Sequence, residues 1–205
     1  RKRDAGGAAV KVLVACEYSG VVRDAFGAMG HDAWSCDVLP TEQPGQHMQG
    51  DVRDYLNDGW DLMVAHPPCT RLCNSGVRWL HERNLWDDLS RAAEFFRTLL
   101  DAPIRMVAVE NPVPHKYAIA KIGRPDQYVQ PWEFGDPESK RTGLWLRNLP
   151  PLKPWVTERP PIVGSRVHRM PPGPDRARER SRFWPGIATA MAEQWTLAAE
   201  RVVQP

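Results

Sequence analysis

No run of apolar residues in this 205-residue chain approaches the roughly 18 that a membrane span requires, so no membrane partner is expected. Cysteine is scarce. The four thiols, Cys16, Cys36, Cys69 and Cys73, fall in or beside predicted strands and loops, which suits a reducing cytoplasm better than a disulfide frame. Cys69-x-x-x-Cys73 lacks a second ligand pair at zinc-finger spacing, so no metal site is expected. The Gly-x-Gly-x-x-Gly of dinucleotide sites is missing. So are internal repeats and low-complexity tracts. With 27 Lys and Arg against 25 Asp and Glu, the net charge of +2 excludes a general polycation. The amino end, Arg1-Lys2-Arg3-Asp4, is charged and has no apolar stretch behind it. Residues 1–10 therefore read as a flexible tail rather than a secretory signal.

What is present is the composition of a globular domain, 42% hydrophobic and 25% charged. The length fits one domain with at most a small appendage. Short apolar runs alternate with helical patterns. Strands are predicted at Lys11 to Cys16, Ala33 to Cys36, Asp61 to Ala65, Met106 to Val109, Gln127 to Phe134 and Thr142 to Leu146. Helices are predicted at Val21 to Met29, Val52 to Asn57, Asp87 to Leu100, Tyr117 to Ile122 and Ile187 to Val202. Leu89, Ala92, Ala93, Phe96, Leu99 and Leu100 recur at helical spacing and mark a core stripe. The alternation predicts an α/β fold with right-handed crossovers, a Rossmann-like, mostly parallel, doubly wound sheet. Residues 11–150 read as its catalytic body, 151–182 as a Pro/Arg-rich loop segment, and 183–205 as a helix packing back on the body. The segment from Lys153 to Arg182 holds eight basic residues against three acidic ones, a candidate phosphate-contacting arm.

Two strand ends carry reactive groups. The apolar run Leu62-Met63-Val64-Ala65 leads through His66-Pro67-Pro68 to Cys69, a thiol beyond the carboxyl end of a central strand. Ligands bind at that edge of open α/β sheets. Two prolines stiffen the loop. The run ending at Val109 leads to Glu110-Asn111-Pro112, which sets a carboxyl at the same edge. A thiol and a carboxyl facing one crevice form a nucleophile and acid pair. His66 and Thr70 flank the thiol.

Read in order, these motifs resemble the DNA cytosine C5-methyltransferases from about residue 11 to 195. Pro67-Pro68-Cys69 is similar to that family's nucleophile loop, and Glu110-Asn111-Pro112 to its Glu-Asn-Val acid. Val12 to Gly20 resembles the first strand and its cofactor loop, Asp37 the acidic end of the second strand, and Gly50-Asp51-Val52 the Gly-Asp-Ile of the third. Gly76 falls at a loop glycine. Phe134 to Arg141 resembles the Tyr-Gly-x-Pro-Gln-x-Arg segment, and Pro185 to Ala192 the terminal motif. The short methylases of actinobacterial bacteriophages are similar in length. Four features depart from the family: Val22 replaces a glycine, Thr70 a glutamine, and Glu138-Ser139-Lys140 the Gln-x-Arg. A large target-recognition domain has almost no room.

The resemblance implies S-adenosylmethionine as cofactor, with Glu17, Tyr18, Ser19, Gly20, Asp37, Asp51, Val52 and Pro67 around it. It implies Cys69 as the nucleophile that adds to cytosine C6, and Glu110 as the acid at N3. Asn111 would fix the loop, while Lys140 and Arg141 would act on the base or a phosphate. Thr70, Arg71, Arg78, Trp79, Arg166 and Arg169 are candidates for nucleic-acid contact, Arg78 and Trp79 in the loop after the thiol. The substrate would be duplex DNA with the target base flipped out. The setting would be the cytoplasm of a phage-infected or prophage-bearing bacterium. Three other readings stay open: another pyrimidine substrate such as RNA or a nucleotide, transfer of a group other than methyl, and a catalytically degenerate nucleic-acid-binding protein. The oligomeric state is not legible.

Overall fold

The computed structural model describes residues 9–161, 164, 170, 171, 173 and 176–203. Seven strands form one sheet: β1 (Lys11–Ala15), β2 (Asp32–Asp37), β3 (His47–Gln49), β4 (Leu62–Ala65), β5 (Met106–Pro112), β6 (Gln127–Val129) and β7 (Thr142–Arg147). Their spatial order is β3-β2-β1-β4-β5-β7-β6. Strands β1 to β5 pair in parallel, and β7 runs antiparallel to both β5 and β6. The helices are α1 (Val21–Ala28), α2 (Val77–Glu82), α3 (Trp86–Leu100), α4 (Lys116–Ile122), α5 (Arg176–Ser181) and α6 (Pro185–Val203). Among the described residues, no helix is long and apolar enough to cross a membrane.

The central strands are apolar throughout because both faces of the sheet are covered. On one face, Val12, Val14, Leu62, Val64 and Ala108 pack with Val22 and Phe26 of α1 and with Ile187, Met191 and Trp195 of α6. On the other, Leu13, Ala15, Met63, Ala65 and Val107 pack with Leu89, Phe96 and Leu99 of α3 and with Ile122 of α4. Alternate residues along a strand point to opposite faces, so each strand feeds both cores. The register pairs Ala65 with Val109, which brings the residues just beyond them, His66 and Glu110, side by side at the carboxyl edge.

Four local readings change. Gln127 to Phe134 is not one strand. Pairing stops at Val129, because Pro131 has no N–H to donate and a reciprocal Gln130–Glu133 capping box starts a 3-10 turn over Pro131–Phe134. A short third strand forms at His47–Gln49, where no strand is predicted. Arg78 and Trp79 stand on helix α2, not in a loop. Residues 176–181, read as part of an irregular segment, are helical.

Helix α1 begins without a side-chain cap at Gly20, which holds a left-handed φ of 76°. Glu17 takes over that role: its carboxylate accepts the N–H of Val22 at 2.7 Å and of Arg23 at 3.2 Å. The buried Arg23 guanidinium then ties α1 to the loop after β2. It donates to Ser35 Oγ, Thr41 Oγ1 and the Gln43 and Pro44 carbonyls at 3.2–3.3 Å. A Cβ on Gly20 or Gly45 would lie 2.5 or 2.6 Å from this guanidinium, so both positions need glycine. Replacing Arg23 by methionine is expected to lower stability by about 2 kcal/mol, chiefly through polar groups left unsatisfied. Urea unfolding of the two proteins measures it.

Candidate active site and adjoining cavity

Leu62–Ala65 ends where Pro67 and Pro68 break the ladder, and the chain then closes a tight turn. The Cys69 carbonyl accepts the N–H of Leu72 at 2.9 Å and of Cys73 at 3.0 Å. Gly76 closes the turn, since a Cβ there would sit 2.1 Å from the Thr70 carbonyl oxygen. The loop is pinned to the segment after Glu110: Asn74 N–H donates to Val113 O, His115 N–H to Leu72 O, and Cys73 pairs with Pro114. The buried His115 ring adds two links. Its Nδ1 accepts the Ala118 N–H at 3.0 Å, which leaves Nε2 to donate to Arg71 O at 2.8 Å. Thiol loop and acid loop are thus one rigid unit.

Glu110 is buried beside His66, with Oε2 3.4 Å from His66 Nδ1. Its Oε1 and His66 Nε2 are buried without hydrogen-bond partners. Burial pushes the Glu110 carboxyl up. The His66 hydrogen bond, the Lys140 charge and the Thr142 hydroxyl outweigh it and hold the group below the usual carboxylate range. Cys69 is half-buried and lies within electrostatic reach of both Glu110 and Lys140. Its thiol is pushed up by the hydrogen bond to Cys73, by burial and by the Cys73 and Glu110 charges, against which Lys140 works. The His66 ring stacks against Phe183 at 4.5 Å. Two orphaned polar atoms therefore sit at one strand edge beside the thiol loop, and Lys140, whose Nζ donates to the Arg180 carbonyl at 3.4 Å, lies within electrostatic reach of both Glu110 and Cys69.

A cavity of about 350 Å³ opens beside this cluster, at the carboxyl ends of β1 and β2. Asp37, Asp51, Val52 and Pro68 line it together with Cys16, Cys36, Val38, Gly50, Arg53 and Phe95. Its size suits a nucleoside, and its acids suit hydroxyl and amino donors. Burial raises the Asp37 carboxyl, although the Leu39 N–H opposes this. Arg53 hydrogen-bonds Asp51 and lowers it to about 2. Burial raises Cys36 to about 11 and Cys16 further, which leaves both as neutral walls.

The predicted residues separate in space. Cys69, Glu110 and Lys140 come together. Arg141 does not join them, because its guanidinium lies over the Tyr128 ring at 4.1 Å. The Asn111 side chain donates to the Pro112 carbonyl, and the strand's alternation sets it on the sheet face opposite Glu110. Asp37, Asp51 and Val52 line the cavity, and there Pro68 takes the position expected for Pro67. Glu17 and Ser19 shape the α1 turn, Ser19 Oγ donating to Glu17 at 3.2 Å. Tyr18 Oη lies 3.0 Å from Ser181 Oγ. Arg71 pairs with Asp88 at 3.2 Å, and Thr70 is exposed. The guanidinia of Arg78 and Arg83 lie over the Trp79 ring at 4.4 and 4.3 Å from its centroid. Arg166 and Arg169 lie outside the described residues. Phe95 and Cys16 join the site without having been singled out for it, and His66, read as a flank of the thiol, pairs with Glu110. For His66 the parallel register was the signal, and for Cys16 the end of β1. The described residues contain no cluster of three or more metal-binding side chains.

A parallel sheet in this order with β7 reversed, and a nucleoside-sized cavity at the ends of β1 and β2, defines the Rossmann-like methyltransferase fold. No family model matches the chain, and no curated protein matches it. Solved structures do. A candidate DNA modification methyltransferase encoded within a prophage of E. coli is similar at 14% identity and a TM-score of 0.44, over 67% of this chain and 46% of that one. The Entamoeba histolytica methyltransferase EhMeth is similar at 14% identity and a TM-score of 0.48, over 81% of this chain and 61% of that one. The chain thus spans less than two thirds of either structure's length. Likeness of this degree bears on neither substrate nor reaction.

Proposed function

We propose that this protein transfers a methyl group from S-adenosylmethionine to C5 of cytosine in DNA, through a transient bond between Cys69 and C6. The observation that carries the reading is the buried Glu110, with Oε1 unpartnered, at the strand edge beside the Cys69 loop, whose Pro68 lines a nucleoside-sized cavity. Cytosine C5 is a weak nucleophile until a thiolate adds at C6 and loads electron density onto the ring. Glu110, hydrogen-bonded to N3, stabilises the charge that develops there. Its unpartnered Oε1 is free to accept from the cytosine N4 amino group and, once protonated, to donate to N3, while His66 orients the other oxygen. Lys140 favours negative charge on the sulfur. Asp37 and Asp51 would hold the ribose hydroxyls and the adenine amino group, with Val52 and Phe95 against the adenine. The sulfonium, when bound, supplies the methyl group. Trp79 with the Arg78 and Arg83 guanidinia on its ring supports contact with the phosphates of a strand beside the thiol loop.

Asp37→Ala is expected to weaken S-adenosylmethionine binding by about tenfold or more, the loss of one or two charge-assisted hydrogen bonds. Calorimetry on the purified protein measures it. Mass spectrometry of nucleosides from DNA incubated with protein and S-adenosylmethionine tests the reaction. The expected product is 5-methylcytosine. Another methylated nucleoside, or no mass change in DNA, would overturn the assignment.

A further inference from the structure

Replacing a ring-carbon hydrogen by the methyl group of a sulfonium releases one proton. In the reaction above Glu110 is engaged at the N3 and N4 edge of the base, and Lys140 is a cation, so neither takes it. His66 is placed to do so. Strands β4 and β5 pair Ala65 with Val109, so His66 and Glu110 follow side by side, on the sheet face that also holds Phe183. His66 Nδ1 lies 3.4 Å from Glu110 Oε2, and the two side chains are only 9% and 10% exposed. The Phe183 ring packs on the imidazole, 4.5 Å between centroids. An ionised carboxylate can only accept, so Nδ1 carries the hydrogen and Nε2 of the neutral ring keeps its lone pair. Nε2 is buried and has no hydrogen-bond partner. Such an orphan costs about 1–3 kcal/mol, and it marks a place where a bound molecule completes the bonding. A carboxylate on Nδ1 with a bare Nε2 opposite makes an imidazole a general base, because the carboxylate fixes the tautomer and stabilises the imidazolium.

Which proton it takes follows from the order of atoms round the pyrimidine. Glu110 meets N3 and the N4 amino group, and Cys69 meets C6, so C5 lies between them. His66 is hydrogen-bonded to the first residue and stands three positions before the second. We infer that His66 is the base that removes the C5 proton after methyl transfer, Nε2 accepting it; this rests on the methylation reading above. The step balances. The C5–H bond breaks and its proton goes to Nε2. The electron pair of that bond becomes the C5–C6 double bond. The C6–S pair returns to Cys69 as a thiolate. Glu110 holds the imidazolium until solvent takes the proton.

Two measurements test this, the first without nucleic acid. Nitrogen-15 NMR at about pH 8.5, where histidine is neutral, should show the His66 ring with Nδ1 protonated and Nε2 bare, a preference lost in Glu110→Gln. The second incubates wild type and His66→Gln with ordinary cytosine DNA and S-adenosylmethionine. Glutamine keeps a donor toward Glu110. His66→Gln should still add to the base and methylate it, but release product at least about 10²-fold more slowly. A denaturation-resistant complex should then build up, its mass that of a methylated dihydrocytosine on Cys69. A merely structural histidine gives no such adduct. His66→Asn serves if His66→Gln fails to fold. Turnover by the variant at the wild-type rate, loss of adduct and product together while cofactor binding survives, or an Nε2–H tautomer in wild type would overturn the inference. A wild type that forms no bond to 5-fluorocytosine DNA fails the methylation reading itself, and this inference with it.

Discussion

Cys69→Ser is expected to reduce methyl transfer at least about 10³-fold while leaving S-adenosylmethionine binding unaltered. Serine keeps the shape of the loop but not its chemistry, since a hydroxyl near neutral pH offers almost no anion to add to C6. The cavity proposed for the cofactor is lined by Pro68 rather than by the thiol, so cofactor affinity is a control that separates lost chemistry from a damaged fold. Calorimetry and a labelled-methyl transfer assay on the same preparation read the two quantities. A serine variant that retains a tenth of the wild-type rate would remove Cys69 from the mechanism.

Glu110→Gln is the second large effect, about 10²- to 10⁴-fold in rate, the range for a lost general acid or base. The amide keeps one acceptor toward the base but can neither take up nor give a proton. The same residue makes a pH prediction. Its carboxyl lies below the usual range in the folded protein, held there by His66, Lys140 and Thr142 against burial. A group with a depressed folded pKa binds its proton more tightly when unfolded. It therefore adds stability above the unfolded value of about 4.3, and that stability is lost as pH falls through the folded value. Wild type should lose stability on acidification through this range more steeply than Glu110→Gln. Acid titration of the melting temperature of both proteins decides it.

The thiol and acid proposed to react are legible because they sit one to four residues beyond apolar runs that can only be buried strands. Leu62–Ala65 and Met106–Val109 announce themselves by composition, and the parallel register does the rest. What was not legible depends on detail below that scale. β3 has three residues, His47–Gln49, two of them polar, and carries no apolar signal. Phe95 is one position off the stripe that includes Phe96, so helical periodicity assigns it to solvent although it walls the cavity. Lys140 and Arg141 are adjacent cations just before β7. Only the chain's path decides that Lys140 lies within electrostatic reach of the thiol while Arg141 turns onto Tyr128. In the sequence His66 reads as a flank of the thiol that either contacts the base or closes the loop, because a histidine before two prolines has no periodicity to assign it. Its pairing with Glu110 emerges from the register between β4 and β5.

The most direct measurement concerns the covalent step. DNA containing 5-fluorocytosine, whose C5 fluorine cannot leave as a proton, should trap the protein in a denaturation-resistant complex in the presence of S-adenosylmethionine. Peptide mass spectrometry should then find the modified pyrimidine on residue 69 alone. A cross-link at any other residue, or steady methylation of cytosine by a protein lacking the sulfur at position 69, would contradict the account.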